Sequence, residues 1–199
     1  MLLYVKLRTV ALTALCVTAL AAVGSATTLQ RLTFEELTDS SDAIVTGKVT
    51  RTWSAWDAGH HYIWTHYTVQ VAGTQKGAQA ATIELSEPGG VAEGMGMTIS
   101  GSVGYHVGDN VLVFAQRMPN GMVRTAGWGQ GKYTVDAKGR LRAEVPLKNV
   151  DYVDTKTGAT GLKPLTSLDG LTLEEAGLRV NARLRATGQL KAGQSGKVQ

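Results

Sequence analysis

The chain has 199 residues, with 20 Lys plus Arg against 16 Asp plus Glu and a single cysteine, Cys16. Its basic residues are scattered, so no cationic patch points to nucleic acid or to an anionic membrane surface. The lone thiol excludes a disulfide-stapled fold and a thiolate metal centre, and stability has to come from a packed core.

Residues 1–26 have the pattern of a secretory signal. Lys6 and Arg8 precede an apolar run from Val10 to Val23, which closes on the small residues Gly24, Ser25 and Ala26. A permanent anchor wants about 18 or more apolar residues, and Thr13 and Thr18 interrupt this run. Leu15 stands directly before Cys16, where lipid attachment favours a small residue. The mature chain is expected to begin at Thr27, in the periplasm or outside the cell, with no cysteine and no membrane attachment. It keeps 18 basic residues (20 less Lys6 and Arg8) against 16 acids. Its 173 residues (199 less 26) suit one domain over 27–187, and 188–199, poor in apolar mass, is expected to be a disordered tail.

In chain order, "LTFEEL" opens a short helix over 33–39: Thr33 and Glu36 form a capping box, and Leu32 can staple to Leu37. "AIVTGKVTRTW" (43–53) alternates as a strand, with Gly47 marking a bulge or bend. Asp57, Ala58 and Gly59 signal a turn into "HYIWTHYTVQV" (61–71). That strand places Ile63, Tyr67, Val69 and Val71 on one face, and Tyr62, Trp64, His66, Thr68 and Gln70 on the other. "ATIELSE" (81–87) is a third strand with Ile83 and Leu85 inward. A long glycine-rich connection follows from Pro88 to Gly108, on which Met95, Met97 and Ile99 are expected to pack against the strands. "VLVFA" (111–115) reads as a central strand covered on both faces. "PNG" turns it into "MVRTAG", and "KYTV", "DAKG" and "RLRAEV" spell a further hairpin from about 132 to 145. "TLEEAGLRVNARLRA" is a second capped helix: Thr172 and Glu175 form the box, and Leu173, Gly177, Val180 and Leu184 line one face. Arg179, Arg183 and Arg185 suit its exposed side and its C-terminal end.

A three-strand meander, a long loop and then a further strand predict a mainly β fold: a five-stranded, partly open OB-like barrel with an additional hairpin and short flanking helices at each end. The runner-up is a generic sandwich. "SDAIVTGKV", "YTVQVAGTQKG", "IELSEPGG" and "YHVGDNVLVFA" resemble the barrel strands of netrin-like domains, the class that includes tissue inhibitors of metalloproteinases. The same stretches resemble a family of uncharacterised secreted bacterial proteins. The resemblance covers about residues 42–116 and implies an OB barrel with a helix pair beside it. In those inhibitors an N-terminal cysteine presents its amine and carbonyl to the protease zinc. Here Thr27 is expected at that position, so the inhibitory mechanism carries over to no residue of this chain.

"WDAGHHYIWTHYTV" (56–69) holds three of the four histidines and two of the four tryptophans. Zinc needs three or four ligands within about 2.0–2.3 Å, whereas His60 and His66 lie about 20 Å apart along an extended strand. His60 and His61 point apart in a turn, and His106 joins them only if the glycine-rich loop folds back. No HExxH occurs. No cofactor is expected, and the alternative of a metal-dependent hydrolase would rest on His60, His66 and His106. The glycine-rich loop lacks the GK[ST] of a phosphate cradle, and no serine lies in GxSxG. Glu84 is expected on the exposed face, with Glu87 and Glu93 in solvated loop where a carboxylate keeps its ordinary pKa. Trp128, between glycines, is read as a packing anchor.

The candidate binding residues are Trp53, Trp56, Tyr62, Trp64 and His66, an aromatic set at one hairpin, where flat rings stack on partners. The leading expectation is an exported, non-enzymatic module that binds a protein or polysaccharide partner through this set and the glycine-rich loop. The remaining alternative is a structural component of the cell envelope.

Overall fold

The computed structural model describes residues 27–144, 150–165 and 167–190; the expected signal and the end of the expected tail, 191–199, lie outside them. Over the described residues the protein is mainly β with two α-helices, and its sheets are open: none closes into a barrel. In chain order the elements are β1 (Thr27–Gln30), α1 (Phe34–Ser40), β2 (Ala43–Trp56), β3 (Ile63–Lys76) and β4 (Thr82–Pro88), then β5 (Gly90–Ala92), β6 (Met95–Met97), β7 (Asn110–Arg117), β8 (Val123–Thr125), a 3-10 turn (Trp128–Gly131), β9 (Lys132–Val135), β10 (Leu141–Ala143), β11 (Val150–Val153) and α2 (Leu173–Ala186).

The main sheet has seven strands in the order β10-β9-β7-β2-β3-β4, with β8 also paired to β7. Every strand expected between the two helices is in it, the "KYTV"/"RLRAEV" hairpin included. β8 and β9 run along the same edge of β7, and the 3-10 turn interrupts them. β2 and β3 are 14 residues each and outrun the expected strands. Their register slips between Thr46 and Gly47, where a Cβ on Gly47 would stand 2.2 Å from the Gln70 carbonyl oxygen; that close approach requires glycine.

Two cores lie on opposite faces of this sheet. Val45, Val49, Tyr67, Val69, Leu85, Val111 and Val113 face inward, and the glycine-rich connection adds Val103 and Tyr105 to them. Ile44, Leu112, Phe114, Tyr133 and Leu141 face the other way, under Phe34 and Leu37 of α1 and Ala176, Val180 and Leu184 of α2. "VLVFA" is thus apolar throughout because each of its faces feeds a different core. Both capping boxes form, Thr33 with Glu36 and Thr172 with Glu175. The helices are tied by the Arg183 guanidinium, which donates to both carboxylate oxygens of Asp39, and by Arg179, whose guanidinium lies 4.5 Å over the Phe34 ring. Gln189 and Leu190, the start of the expected tail, donate their N–H groups back to the Leu184 carbonyl, and Leu190 packs on the helix-side core.

Three features differ from expectation. β1 pairs in parallel with β11, joining the start of the described chain to a strand more than a hundred residues later. The glycine-rich connection contains a small β5–β6 hairpin, turned by Glu93 and Gly94, both at positive φ. On that hairpin Met95 is exposed, while Met97 and Ile99 are half-buried. Met95 stands directly after the turn, out at the tip of the hairpin, and contributes nothing to the core.

Candidate functional site

The far half of the β2–β3 hairpin carries the expected aromatic set. Its turn is built by Asp57, whose Oδ1 accepts from the His61 N–H at 2.7 Å, whose N–H donates to the Tyr62 carbonyl, and whose own carbonyl accepts from the His60 N–H. The His61 N–H holds the Asp57 carboxyl below its ordinary range. His60 takes a left-handed φ of 52° to complete the turn.

On the strands, Trp53 stands opposite His66, and Ala55 opposite Trp64. Two-residue alternation therefore puts Trp53, His66 and Trp64 on one face, the face turned away from the inner core. The Trp53 and His66 rings stack, with centroids 4.9 Å apart and planes 18° from parallel, and the Arg51 guanidinium lies 4.6 Å over Trp53. His66 is oriented by Ser86, whose Oγ lies 2.9 Å from its Nδ1, and Glu84 lies 3.4 Å away. Trp64 has the Arg124 guanidinium 5.8 Å from its ring centre, and the same guanidinium sits 4.2 Å over Trp128. Trp56 departs from this face. It pairs with Ile63 on the opposite side and stacks on His60 at 5.5 Å. Tyr62 stands in the turn, 51% exposed. The three hairpin tryptophans are half-buried. Thus three of the five candidate residues share a surface, Tyr62 flanks it, and Trp56 faces elsewhere.

His60, at the turn, and His66, on the sheet, make these separate contacts. His106 lies in a turn before β7, its side chain 88% exposed beside Asp109. Among the described residues, no group of three or more His, Cys, Asp or Glu side chains is placed to hold a metal ion.

Sequence reasoning missed a buried polar cluster behind the hairpin. Glu87 was expected in solvent, and instead it is 1% exposed: the strand that carries Ile83 and Leu85 inward continues one more step, and Glu87 takes the third inward place. Its Oε1 accepts from the Thr125 N–H at 2.7 Å, and its Oε2 faces the Arg124 Nε at 3.5 Å. Burial pushes the Glu87 carboxyl up, and the Thr125 N–H and Arg124 oppose that shift. Tyr105 Oη shares a 2.6 Å hydrogen bond with Thr125 Oγ1, and burial pushes its pKa well above the ordinary value. Lys132, 2% exposed, donates to the Gly104 carbonyl, lies 3.2 Å from the Glu144 carboxylate and sits 4.6 Å over the Tyr105 ring. These bonds pin the glycine-rich connection to the sheet at Gly104 and Tyr105. The "IELSE" alternation was the available signal for Glu87.

A cleft of about 390 Å³ lies between Thr65, Tyr67 and Glu87 on the sheet and Gly89, Gly90 and Ser102 on the connection. A larger one, of about 770 Å³, opens between β4 and the β7–β8 hairpin and reaches His66. The chain matches no known protein family, no curated protein and no solved structure.

Proposed function

We propose that this protein is an exported, non-enzymatic binding module of OB-like, netrin-like type that engages a protein or polysaccharide partner through the Trp53–His66–Trp64 surface, flanked by Tyr62 and the glycine-rich connection. The observation that carries this reading is the outward face of the hairpin. Two half-exposed indole rings stand there with a stacked imidazole and the Arg51 guanidinium, on paired strands that hold them in place. Such flat faces with cationic neighbours suit stacking on sugar rings or on planar side chains. Val91 and Met95, exposed on the β5–β6 hairpin, add apolar contact area from the connection.

The strand path β4-β3-β2-β7-β8, with β8 brought alongside β4, supports the OB-like architecture as a cylinder left unzipped at one seam. The charged stretch, apolar run and small residues of 1–26 support export, to the periplasm or the exterior.

The test is affinity capture from the native secreted fraction and from extracted envelope polysaccharide, with wild-type protein and the Trp53→Ala and Trp64→Ala variants. Aromatic anchors at a binding surface contribute about 2 kcal/mol or more, so each variant should bind its partner at least about tenfold more weakly with its fold intact by circular dichroism. Trp56→Ala, on the other face, should bind as wild type does. Equal capture by all four proteins removes this surface from consideration.

A further inference from the structure

The seam between β4 and β8 leaves two strand edges facing each other. Among the described residues, β4 pairs only with β3, and β8 only with β7. The two approach at one end, where the Glu87 carboxylate accepts the Thr125 N–H in place of a strand-to-strand bond. Four antiparallel steps lead from β4 through β3, β2 and β7 to β8, so β4 and β8 run in the same direction.

Antiparallel alternation shows which backbone groups face the seam. The Val71 N–H donates to the Ala81 carbonyl and the Gly89 N–H to the Ile63 carbonyl. Positions 81, 83, 85, 87 and 89 are thereby turned to β3, leaving the N–H and C=O of Thr82, Glu84 and Ser86 directed into the seam. On β8, the Met118 N–H donates to the Met122 carbonyl and the Ala126 N–H to the Phe114 carbonyl. Positions 122, 124 and 126 face β7, and Val123 and Thr125 face the seam. Beyond Glu87 and Thr125 the seam widens into the cleft of about 770 Å³, with Val45, Val71, Ile83 and Val123 in its wall and Glu84, Ser86 and His66 at its outer rim.

We propose that this cleft is a docking site for an extended peptide segment of a partner protein, which enters as an added strand between β4 and β8 and completes the cylinder. Because the two free edges run in the same direction, one inserted strand is antiparallel to both and can pair with each. Its alternate side chains meet Val45, Val71, Ile83 and Val123 and are apolar. The side chains between them point outward, where the half-exposed Glu84 carboxylate selects lysine or arginine. Asp42, the other acid in the wall, already accepts the Arg117 N–H, and the Arg117 guanidinium is held on the Gly121 carbonyl. Glu84, 3.4 Å from the His66 Nδ1 and with its side chain 52% exposed, is the acid at the rim that a partner's cation can reach. The site goes beyond the aromatic surface proposed above, since it uses backbone edges instead of rings.

The probe is acetyl-Val-Lys-Val-Lys-Val-amide, added to the full protein and followed by amide hydrogen exchange and chemical-shift mapping. Without peptide, the Thr82, Glu84, Ser86 and Val123 amides should exchange at least about tenfold faster than those of Val69 and Leu85. With peptide, those four should slow by about tenfold or more, and the shift changes should cluster along β4 and β8. A peptide N-methylated at both lysines should not bind, a Glu-for-Lys peptide should bind at least about tenfold more weakly, and Trp53→Ala and Trp64→Ala proteins should bind the probe as wild type does. The proposal is overturned if the four amides are already as protected as Leu85, if the N-methylated peptide binds equally, if the shifts map to the Trp53–Trp64 face, or if millimolar peptide changes none of them.

Discussion

Glu87 is the residue where local pattern and chemistry meet most sharply. A carboxyl one-hundredth exposed, bonded to one backbone N–H and set 3.5 Å from one arginine nitrogen, is taken out of water with only part of its hydration replaced. Burial raises its native pKa above the ordinary 4.5, so the folded chain binds this proton more readily than the unfolded one. The stability it contributes is then fully present below the unfolded value and is lost as pH rises through the native one. Glu87→Gln keeps an acceptor for the Thr125 N–H and removes the titration, so its urea midpoint should vary less with pH than that of wild type above pH 4.5. Parallel profiles for the two proteins would refute this account. Glu87→Ala takes the acceptor from the Thr125 N–H and the carboxylate from beside Arg124, and below pH 4.5 it should cost about 1–3 kcal/mol by urea unfolding, a cost that shrinks as pH rises and wild type loses the Glu87 contribution.

At the scale of elements, the two helices show how a local signal survives folding. Each box is complete within four residues, Thr172 Oγ1 accepting the Glu175 N–H while the Glu175 carboxylate accepts the Thr172 N–H, and no distant contact is needed to form it. Thr172→Ala should lower stability by about 1 kcal/mol and Thr172→Ser should recover most of it, by urea unfolding. The hairpin arms were legible for the same reason: "NG", "AG" and "KG" turns and two-residue alternation are local. β1 and β11 were not legible, because these strands of four residues lie far apart in the chain and pair only once the fold brings them together. Trp56 was misplaced with Trp53 by closeness in sequence, although three steps along a strand reverse the face.

For the whole molecule, two cores that share one sheet imply two separable contributions to stability. Leu85, fully buried under the inner face, and Leu184, 1% exposed under the helices, share no packing partners within a cluster. Leu85→Ala and Leu184→Ala should each cost about 2–5 kcal/mol, and the double variant should cost their sum within about 0.5 kcal/mol, provided urea unfolding remains two-state. A large coupling would show that the cores respond as one unit through the strands between them.

What the sequence determined by itself is whatever periodicity and capping encode over a few residues: the mainly β content, both helices with their boxes, the hairpins of the main sheet, and an outward Trp64 and His66. Only the tertiary structure decided what depends on elements distant in the chain: that the sheet stays open at β4 and β8, that Glu87 ends in an apolar interior, that the helices share one core, and that Arg51, Arg124 and Ser86 surround the aromatic face. The reason is physical. Backbone alternation assigns each side chain a direction, but which partner waits in that direction is set by chain closure over many tens of residues, whose entropy cost is met only by the assembled core.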